Sequence, residues 1–388
     1  MRKFGIVFGS FQPFHRGHLS LVLKAKHECE KVYILCCGYD NDIRDSRYDL
    51  PLDKRFRFVK EFFKDDPLIE VRKLNDSEMG IDGDVQFTDK GWAIWLNKAI
   101  GPLPFYPADD DNQFIIYTGE ESYKNKIVDI MLTHRNDLGF IGTHHIEVEL
   151  VNRSLLPISG TMIRDNPLKY WKYIIPTFRR EFSVNILVTG TASEGKTNLV
   201  NDISKYFNLV HSEEMAREVL RKNGKIGFDN QISAADFSEF LIAQHNANRD
   251  LINSPVNSGI FIADSDNAVT LMYAREYAVR AEYKKNYAID LNEFCCLKSQ
   301  AEILNKGTKW NVIFLTTPKD NFVDDGERNK DQASLEDRKG NYETLKEIIN
   351  GLYPDVEIIE LDGNYEENFN IVKEYIEKIY MTSGLEIW

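Results

Sequence analysis

An intact phosphate-binding motif constrains the fold of this chain more than any other feature. Gly190-Thr-Ala-Ser-Glu-Gly195-Lys196-Thr197 fits the pattern G-x-x-x-x-G-K-[ST] with no mismatch. An apolar run at 184–189 precedes the motif and a helical pattern at 196–207 follows it, which is the strand–loop–helix setting that a P-loop requires. In such a loop the backbone N–H groups surround a phosphate, the lysine reaches the β and γ oxygens, and the threonine binds Mg²⁺. The motif therefore predicts an ATP site made by Gly190, Ser193, Glu194, Gly195, Lys196 and Thr197.

Short apolar runs alternate with helix-like segments along the whole chain of 388 residues. This alternation is typical of parallel sheets that are covered by helices on both faces. One series of segments ends before the stretch 168–181, and a second series begins near Phe182. The pattern predicts two α/β domains in series, each with a mostly parallel sheet, and we place them at 1–175 and 182–388.

Composition excludes several classes of function. Lys and Arg number 48 and Asp and Glu 61, for a formal net charge of −13, which argues against a general binder of nucleic acid or of anionic membranes. No apolar run is long enough for a transmembrane helix, and the N-terminus lacks a signal-peptide pattern. The five cysteines include no C-x-x-C pair, so we expect reduced thiols and a cytoplasmic protein.

A second candidate site follows the first predicted strand. The sequence Gly9-Ser10-Phe11-Gln-Pro-Phe-His15-Arg-Gly-His18 leaves the strand and opens a helix. Gly9 allows a sharp turn, and the i, i+3 spacing puts His15 and His18 on one helix face. Two imidazoles beside the free N–H groups of a helix start can hold a triphosphate and stabilise charge on its bridging oxygens. The alternative is a pair of surface histidines, but the strand–glycine–helix setting favours the functional interpretation.

A cluster at the far end of the same domain suits a phosphate clamp. In Ile158-Ser159-Gly160-Thr161-Met162-Ile163-Arg164, Ser159 has the character of an N-cap, and Arg164 falls in the helix that it would cap. An ordinary N-cap with a surface arginine is the other interpretation of this segment.

Two acids end an apolar run downstream of the P-loop, in Gly259-Ile-Phe-Ile-Ala-Asp264-Ser-Asp266. One of them could bind Mg²⁺ while the other accepts a substrate proton. We assign the proton to Asp264 and the metal, together with Thr197, to Asp266, with the reverse assignment left open. Exposed turn acids are the alternative. Three further residues at a predicted helix start are candidates for binding the acceptor substrate: Glu213, Glu214 and Arg217.

Two arginines near a late polar segment are candidates for a lid over ATP. Arg328 and Arg338 flank a predicted loop, and arginines on such a loop suit closure over the phosphates. Solvated surface arginines explain the same pattern.

The motifs together carry a resemblance to known enzymes. GSFQPFHRGH resembles the (H/T)xGH signature of the nucleotidyltransferase α/β phosphodiesterase superfamily, and ISGTMIR resembles its closing ISxTxxR signature. With a P-loop domain following, the chain resembles the NadR-type bifunctional enzymes of bacterial NAD salvage. The resemblance covers nearly the whole chain, including GTASEGKT, HSEEMARE, FIADSD and VDDGER.

This resemblance implies a Rossmann-like nicotinamide mononucleotide (NMN) adenylyltransferase domain followed by a P-loop ribosylnicotinamide kinase domain. The ligands would be ATP, NMN, NAD and ribosylnicotinamide, with Mg²⁺ as cofactor. By position, the first ATP site would comprise Gly9, Ser10, Phe11, His15, His18, Ser159, Thr161 and Arg164. For NMN it implies Trp92 and Trp95 near the positive nicotinamide ring, since a tryptophan face attracts cations, with Arg55 and Arg153 as phosphate contacts. Two core tryptophans on a helix face are the alternative for Trp92 and Trp95.

The chain also departs from the family pattern. Some members begin with a DNA-binding helix-turn-helix, whereas this chain starts at the first catalytic strand, so we expect no DNA-binding domain. Thr118–Ser122 reads TGEES where the family has Ser-Ser-Glu. The rival functions are an adenylyltransferase/kinase fusion for another phosphorylated nucleoside and a nucleotide-sensing regulator. The oligomeric state stays open, with a homo-oligomer as one option.

Overall fold

The computed structural model forms two compact units, Met1–Glu181 and Phe182–Trp388. It describes the following residues: 2–81, 85, 88–101, 103, 112–134, 137–138, 145–152, 156–225, 232–284, 289–320 and 334–384. Among these residues, no helix combines the length and the apolar character needed to cross a membrane.

The first unit is built on a five-stranded parallel sheet. Its strands are β1 (Arg2–Gly9), β2 (Lys31–Gly38), β3 (Ile69–Asn75), β4 (Asn112–Thr118) and β5 (His145–Leu150). They lie in the order β3-β2-β1-β4-β5, and every pairing is parallel. The chain winds outward in both directions from β1, so a crevice opens at the carboxyl ends of β1 and β4, where ligands bind in such sheets.

Helices cover this first sheet. They are α1 (Arg16–Glu28), α2 (Leu52–Phe62), α3 (Asp89–Ile100), α4 (Glu121–Thr133), α5 (Gly160–Asp165) and α6 (Pro176–Arg179). Ile6, Ile116 and Leu96 are fully buried in one core that joins the sheet to α3. Burial of both sheet faces explains why the central strands are continuous apolar runs rather than alternating ones.

The second unit repeats this design with another connectivity. Its strands are β6 (Val184–Gly190), β7 (Val210–Ser212), β8 (Ile260–Asp264), β9 (Val312–Thr316) and β10 (Glu357–Leu361). The order is β10-β9-β6-β8-β7, again with parallel pairings only. Its helices are α7 (Lys196–Phe207), α8 (Met215–Lys222), α9 (Ala234–Ile252), α10 (Asn267–Lys284), α11 (Leu291–Asn305), α12 (Leu335–Leu352) and α13 (Tyr365–Ser383).

The central strand β6 places the P-loop. Leu187 of β6 is buried against Phe261 of β8 and Ile313 of β9 in one core, which Leu345 of α12 completes. The loop therefore leaves the carboxyl end of the central strand, beside the ends of β8 and β9. The structure confirms the predicted architecture of two α/β units with parallel sheets.

Candidate functional sites

The two histidines of the first motif cap α1. His15 is the N-cap residue, and its Nδ1 accepts a hydrogen bond from the Gly17 backbone N–H at 3.1 Å. Nδ1 of His18 accepts in turn from the backbone N–H of His15 at 3.3 Å. Because both Nδ1 atoms accept, each neutral ring carries its proton on Nε2 and donates from that atom. The rings stack with centroids 3.8 Å apart, so the capping interactions orient both donors together.

Gly17 makes this arrangement sterically possible. A Cβ at this position would lie 2.9 Å from Cε1 and 3.0 Å from Nδ1 of His15, and 3.2 Å from a methyl group of Ile158. The His15 ring is almost fully buried, at 1% exposed. The glycine between the histidines therefore leaves the space that the His15 imidazole occupies.

The closing motif meets the first motif across the crevice. Arg164 Nη1 donates to the Gln12 carbonyl at 2.5 Å, and its Nη2 donates to Thr161 Oγ1 at 3.1 Å. Ser159 caps α5 as expected, its hydroxyl accepting from the Met162 N–H at 3.2 Å. Burial lowers the pKa of the Arg164 guanidinium from its usual value. The structure thus brings the two sequence-predicted phosphate clusters together.

Gln12 is a residue that the sequence interpretation passed over. Its carbonyl accepts from Arg164, while its side-chain amide donates to the Asp42 carbonyl at 2.8 Å and accepts from the Arg44 N–H at 3.0 Å. Gln12 therefore ties the loop after β1 to the loop after β2. Its place inside the ten-residue motif was the only signal that could have identified it.

Arg55 does not lie where a residue that contacts phosphate was expected to lie. Its side chain is fully buried on α2, where it donates to the carbonyls of Ser10 and Cys37, the latter at 3.2 Å. The carboxylate of Asp42 lies 3.6 Å away. The guanidinium is occupied by the backbone at the ends of β1 and β2, so it supports the loop from beneath instead of facing a ligand. Arg153, the other arginine expected to contact phosphate, lies outside the described residues.

Four aromatic rings line a cavity of about 160 Å³ at the carboxyl end of this sheet. Trp92 and Trp95 meet edge to face with centroids 5.7 Å apart, and both line the cavity. Phe8 lies 4.8 Å from Trp95, and Tyr123 lies 5.8 Å from Trp92. Trp95 also packs in the core at 7% exposed, which is the alternative considered for it.

The same cavity has charged walls. Asp42, Asp76 and Arg44 line it together with Gly9 and Ser10. Burial and the neighbouring Asp42 carboxylate raise the pKa of Asp76 to about 6. Asp76 directly follows β3 and Asp42 follows β2, so acids placed just after strand ends were the signal that the sequence interpretation did not use.

The P-loop wraps the start of α7. Gly195 has φ +76° and Ser193 φ +65°, which turns the loop back over the helix N-terminus. Gly190, with φ +152°, has no room for a side chain, because a Cβ would lie 2.0 Å from Thr316 Oγ1. Lys196 Nζ donates to the Thr191 carbonyl at 2.6 Å within the loop.

Asp264 faces this loop across the sheet edge. Its Oδ2 accepts a hydrogen bond from Thr197 Oγ1 at 2.5 Å. The carboxylate is buried at 2% exposed, and its Oδ1 makes no hydrogen bond with any described residue. A buried carboxylate oxygen without a protein partner is costly, and it indicates a position that a ligand or an ion completes.

Asp266 occupies a different place from its neighbour. The structure buries it at 3% exposed, with Oδ2 accepting from Tyr353 Oη at 2.5 Å and Oδ1 accepting from the Ala268 N–H at 3.0 Å. Burial raises the pKa of this carboxyl to about 6. Its contacts therefore hold it in the interior, and the metal-ligand role expected for Asp266 does not fit this position.

Arg338 is also buried, and it lies in α12 instead of on the surface of a loop. Its Nη1 donates to Glu194 of the P-loop at 2.6 Å, and both side chains are 2% exposed. Its Nη2 donates to the Lys319 carbonyl at 2.7 Å, and the Lys319 N–H donates back to Glu194 at 3.2 Å. This closed network fixes the P-loop from behind, which differs from the lid expected of Arg338. Arg328 lies outside the described residues.

A cavity of about 320 Å³ opens in front of the P-loop. Glu214 and Arg217, two of the three residues predicted to bind the acceptor substrate, line this cavity, whereas Glu213 is exposed and is not among its lining residues. Gln244 of α9 holds this segment, accepting from the Met215 N–H at 2.9 Å and donating to the Glu213 carbonyl at 3.2 Å.

The far wall of this cavity is aromatic. Four rings from α9 and α10 face it: Phe237, Phe240, Tyr273 and Tyr277. Phe237 contacts Phe240 and Tyr277 edge to face at 5.6 and 5.5 Å between centroids. In the sequence these rings follow the helical spacing of an ordinary core, so no local pattern indicated that they line a cavity.

Comparisons with known proteins match both units. A cytidylyltransferase-like family model matches residues 6–166, and an AAA domain model matches residues 185–368. The trifunctional NAD biosynthesis/regulator protein NadR of Salmonella typhimurium is 25% identical over 96% of this chain and 83% of its own length. Two crystal structures of NadR protein, one in complex with NR and one with NAD and AMP-PNP, are 27% identical. They cover 100% of this chain and 98% of their own, with TM-scores of 0.76 and 0.74.

Proposed function

We propose that this chain, which is a NadR-type protein, makes NAD from ribosylnicotinamide in two ATP-dependent steps. The domain at 182–388 phosphorylates ribosylnicotinamide to NMN, and the domain at 1–175 adenylylates NMN to NAD and releases pyrophosphate. The product of the kinase is the substrate of the other domain. The observation that carries the proposal is that each unit assembles its own phosphate-binding motifs beside a cavity walled by four aromatic rings.

In the adenylyltransferase step, an oxygen of the NMN phosphate attacks the α-phosphorus of ATP and pyrophosphate leaves. The Nε2–H groups of His15 and His18 donate to the phosphate oxygens, on which negative charge grows in the transition state. Arg164 holds the phosphates from the opposite side of the crevice. Because the capping hydrogen bonds already orient both imidazoles, little reorganisation is needed when the substrate binds.

The aromatic cavity of this domain suits a pyridinium ring. The faces of Trp92, Trp95 and Tyr123 attract a cation, and the carboxylates of Asp42 and Asp76 add negative charge at the cavity wall. Both features would stabilise a positively charged nicotinamide ring in this cavity.

In the kinase step, the 5′-hydroxyl of ribosylnicotinamide attacks the γ-phosphorus and ADP leaves. Oδ1 of Asp264 has no hydrogen-bond partner in the part of the chain that the structure describes, so we assign it the hydroxyl proton. Lys196 neutralises charge on the β and γ oxygens. The nicotinamide ring lies against the aromatic wall, with the carboxylate of Glu214 nearby.

Magnesium fits the donors beside the P-loop. Thr197 Oγ1 and Asp264 Oδ2 lie 2.5 Å apart and are the hard oxygen ligands that Mg²⁺ prefers alongside substrate phosphates. These two residues would hold the ion, which supplies charge neutralisation at the phosphates. Asp264 thus takes the metal position that the sequence interpretation gave to Asp266.

The test is to incubate the protein with ribosylnicotinamide and Mg-ATP and to identify the products. NMN and NAD are both expected. Lys196→Ala should form neither product from ribosylnicotinamide yet still make NAD from added NMN, whereas His18→Ala should accumulate NMN. Phosphorylation of other nucleosides only, or nucleotide binding without any product, would overturn the assignment.

The domain assignment has its own test. Separate fragments 1–181 and 182–388 should each fold, because each unit has its own sheet and core, and α6 packs on α2 of the first unit through the hydrogen bond from Thr177 to the Phe58 carbonyl. The first fragment should convert NMN to NAD and the second ribosylnicotinamide to NMN. Insoluble fragments, or activity only after mixing, would contradict two independent domains.

A further inference from the structure

The turn after β8 has an unusual backbone at its centre. Ser265 lies between Asp264 and Asp266 with φ +78°, in the left-handed region that residues other than glycine rarely adopt. Ser265 is 1% exposed, and its N–H donates to the Val188 carbonyl of β6 at 3.0 Å. Such a conformation persists only where its surroundings impose it.

The turn sends the two flanking carboxylates to different places. Asp264 reaches Thr197 at the P-loop, while Asp266 enters the interior. There it accepts from the phenol of Tyr353, at the C-terminal end of α12, and from the Ala268 N–H at the start of α10. Burial of the Asp266 carboxylate costs desolvation free energy, which good hydrogen-bonding partners must offset. The contact between Thr197 and Asp264 does not involve Asp266, so it gives no reason for this buried carboxylate.

The helix that precedes Tyr353 also supports the other half of the nucleotide site. Arg338, in the first turns of α12, forms the buried ion pair with Glu194 of the P-loop. Tyr353 follows the last turn and binds Asp266. One helix therefore holds both the loop that binds phosphate and the turn that presents Asp264.

We propose that Asp266 and Tyr353 are positioning residues for the kinase reaction: their hydrogen bond holds the left-handed turn that places the Asp264 carboxylate against Thr197. This inference rests on the proposed kinase function. Neither residue touches the substrate. Without the phenol, the turn can relax toward an ordinary backbone conformation, and Asp264 then moves away from the hydroxyl it is to orient.

The test uses Tyr353→Phe, which removes one oxygen and keeps the ring. Kinase kcat should fall about 10-fold or more, because a misplacement near 1 Å can cost about 10²-fold, while KM for ribosylnicotinamide should change less than about threefold. The matched control is Tyr342→Phe, a buried tyrosine on the same helix, whose kinetics should stay within about twofold of wild type. An equal loss in both variants, or a loss confined to KM, would overturn the proposal.

Asp266→Asn gives a second arm, because asparagine keeps an acceptor oxygen and the shape of the side chain. In a double-mutant cycle with Tyr353→Phe, the double variant should be little slower than the slower single variant, since the two residues act as a pair. Additive losses would contradict the pairing.

A crystal structure of Tyr353→Phe separates this inference from the kinase assignment. The Thr197–Asp264 contact of 2.5 Å should lengthen or break in that variant, whichever substrate the enzyme takes. If the contact persists with an unchanged turn, the positioning role is wrong. If the contact breaks while wild-type protein never phosphorylates ribosylnicotinamide, only the proposed function fails.

Discussion

Replacing Gly17 by alanine perturbs the adenylyltransferase site at its tightest point. The new methyl group would meet the His15 ring at 2.9–3.0 Å and Ile158 at 3.2 Å. Carbon atoms pack comfortably only beyond about 3.5 Å, so the imidazole must move by roughly 0.5 Å. That shift reaches the ~0.5 Å tolerance of a productive site. The same shift weakens the hydrogen bond from the Gly17 N–H to His15 Nδ1, and this hydrogen bond is what keeps the imidazole proton on Nε2.

A transition-state donor of this kind is worth about 10²–10³ in rate when removed completely. A displaced donor loses only part of this rate enhancement. We therefore expect kcat for NAD formation from NMN to fall ~10–100-fold, which corresponds to an increase of about 1.4–2.7 kcal/mol in the activation free energy. The assay is steady-state NAD formation at saturating NMN and Mg-ATP.

Two controls accompany this variant. Kinase activity should be unchanged, because Gly17 lies in the other unit. Gly340→Ala, at an exposed position where a Cβ meets nothing within 4 Å, should leave NAD formation intact. A folded Gly17→Ala protein with kcat within about twofold of wild type would refute the role assigned to the space around His15.

Four further outcomes are expected. Asp264→Asn should lower kinase kcat by about 10²–10⁴ and also weaken Mg-ATP binding, because Asp264 is assigned both the hydroxyl proton and a place beside the metal ion, as measured by kinetics and calorimetry. The pKa of Asp76 is about 6, so its carboxylate is charged above pH 6 and neutral below that pH. Asp76→Asn should therefore raise KM for NMN at pH 8, and the ratio of the variant's KM to the wild-type KM should approach one at pH 5. Gly340→Ala should raise the free energy of unfolding of its unit by about 0.5–1 kcal/mol in urea titrations, since it removes a glycine from within α12. Gln244→Leu should raise KM for ribosylnicotinamide severalfold without changing KM for ATP, because it releases the segment that presents Glu214; an equal rise in both constants would contradict this.

Local patterns in the sequence were enough to predict the two sheets and the places of the phosphate-binding motifs. Buried parallel strands must be apolar along their length, and a P-loop must lie between a strand and a helix. His15, His18 and Lys196 lie where the sequence predicts them, at strand-to-helix turns, because the residues that shape these turns are adjacent in the chain.

The direction and surroundings of other side chains depended on distant residues. Nothing in the segment Asp264–Asp266 tells which acid faces the P-loop, because Tyr353, 87 residues further on, draws Asp266 inward. Arg338 carried the same ambiguity, since its partner Glu194 is 144 residues away.

The aromatic walls of both cavities also depend on residues that are distant in the chain. Phe8, Trp95 and Tyr123 come from three separate elements, and each has the spacing of an ordinary core residue. The backbone framework and the phosphate loops could be predicted from local sequence, because both follow from residues that are neighbours in the chain. Which charges are buried and which rings line a cavity depends on the tertiary structure, because burial is a property of the packed elements and not of any one segment.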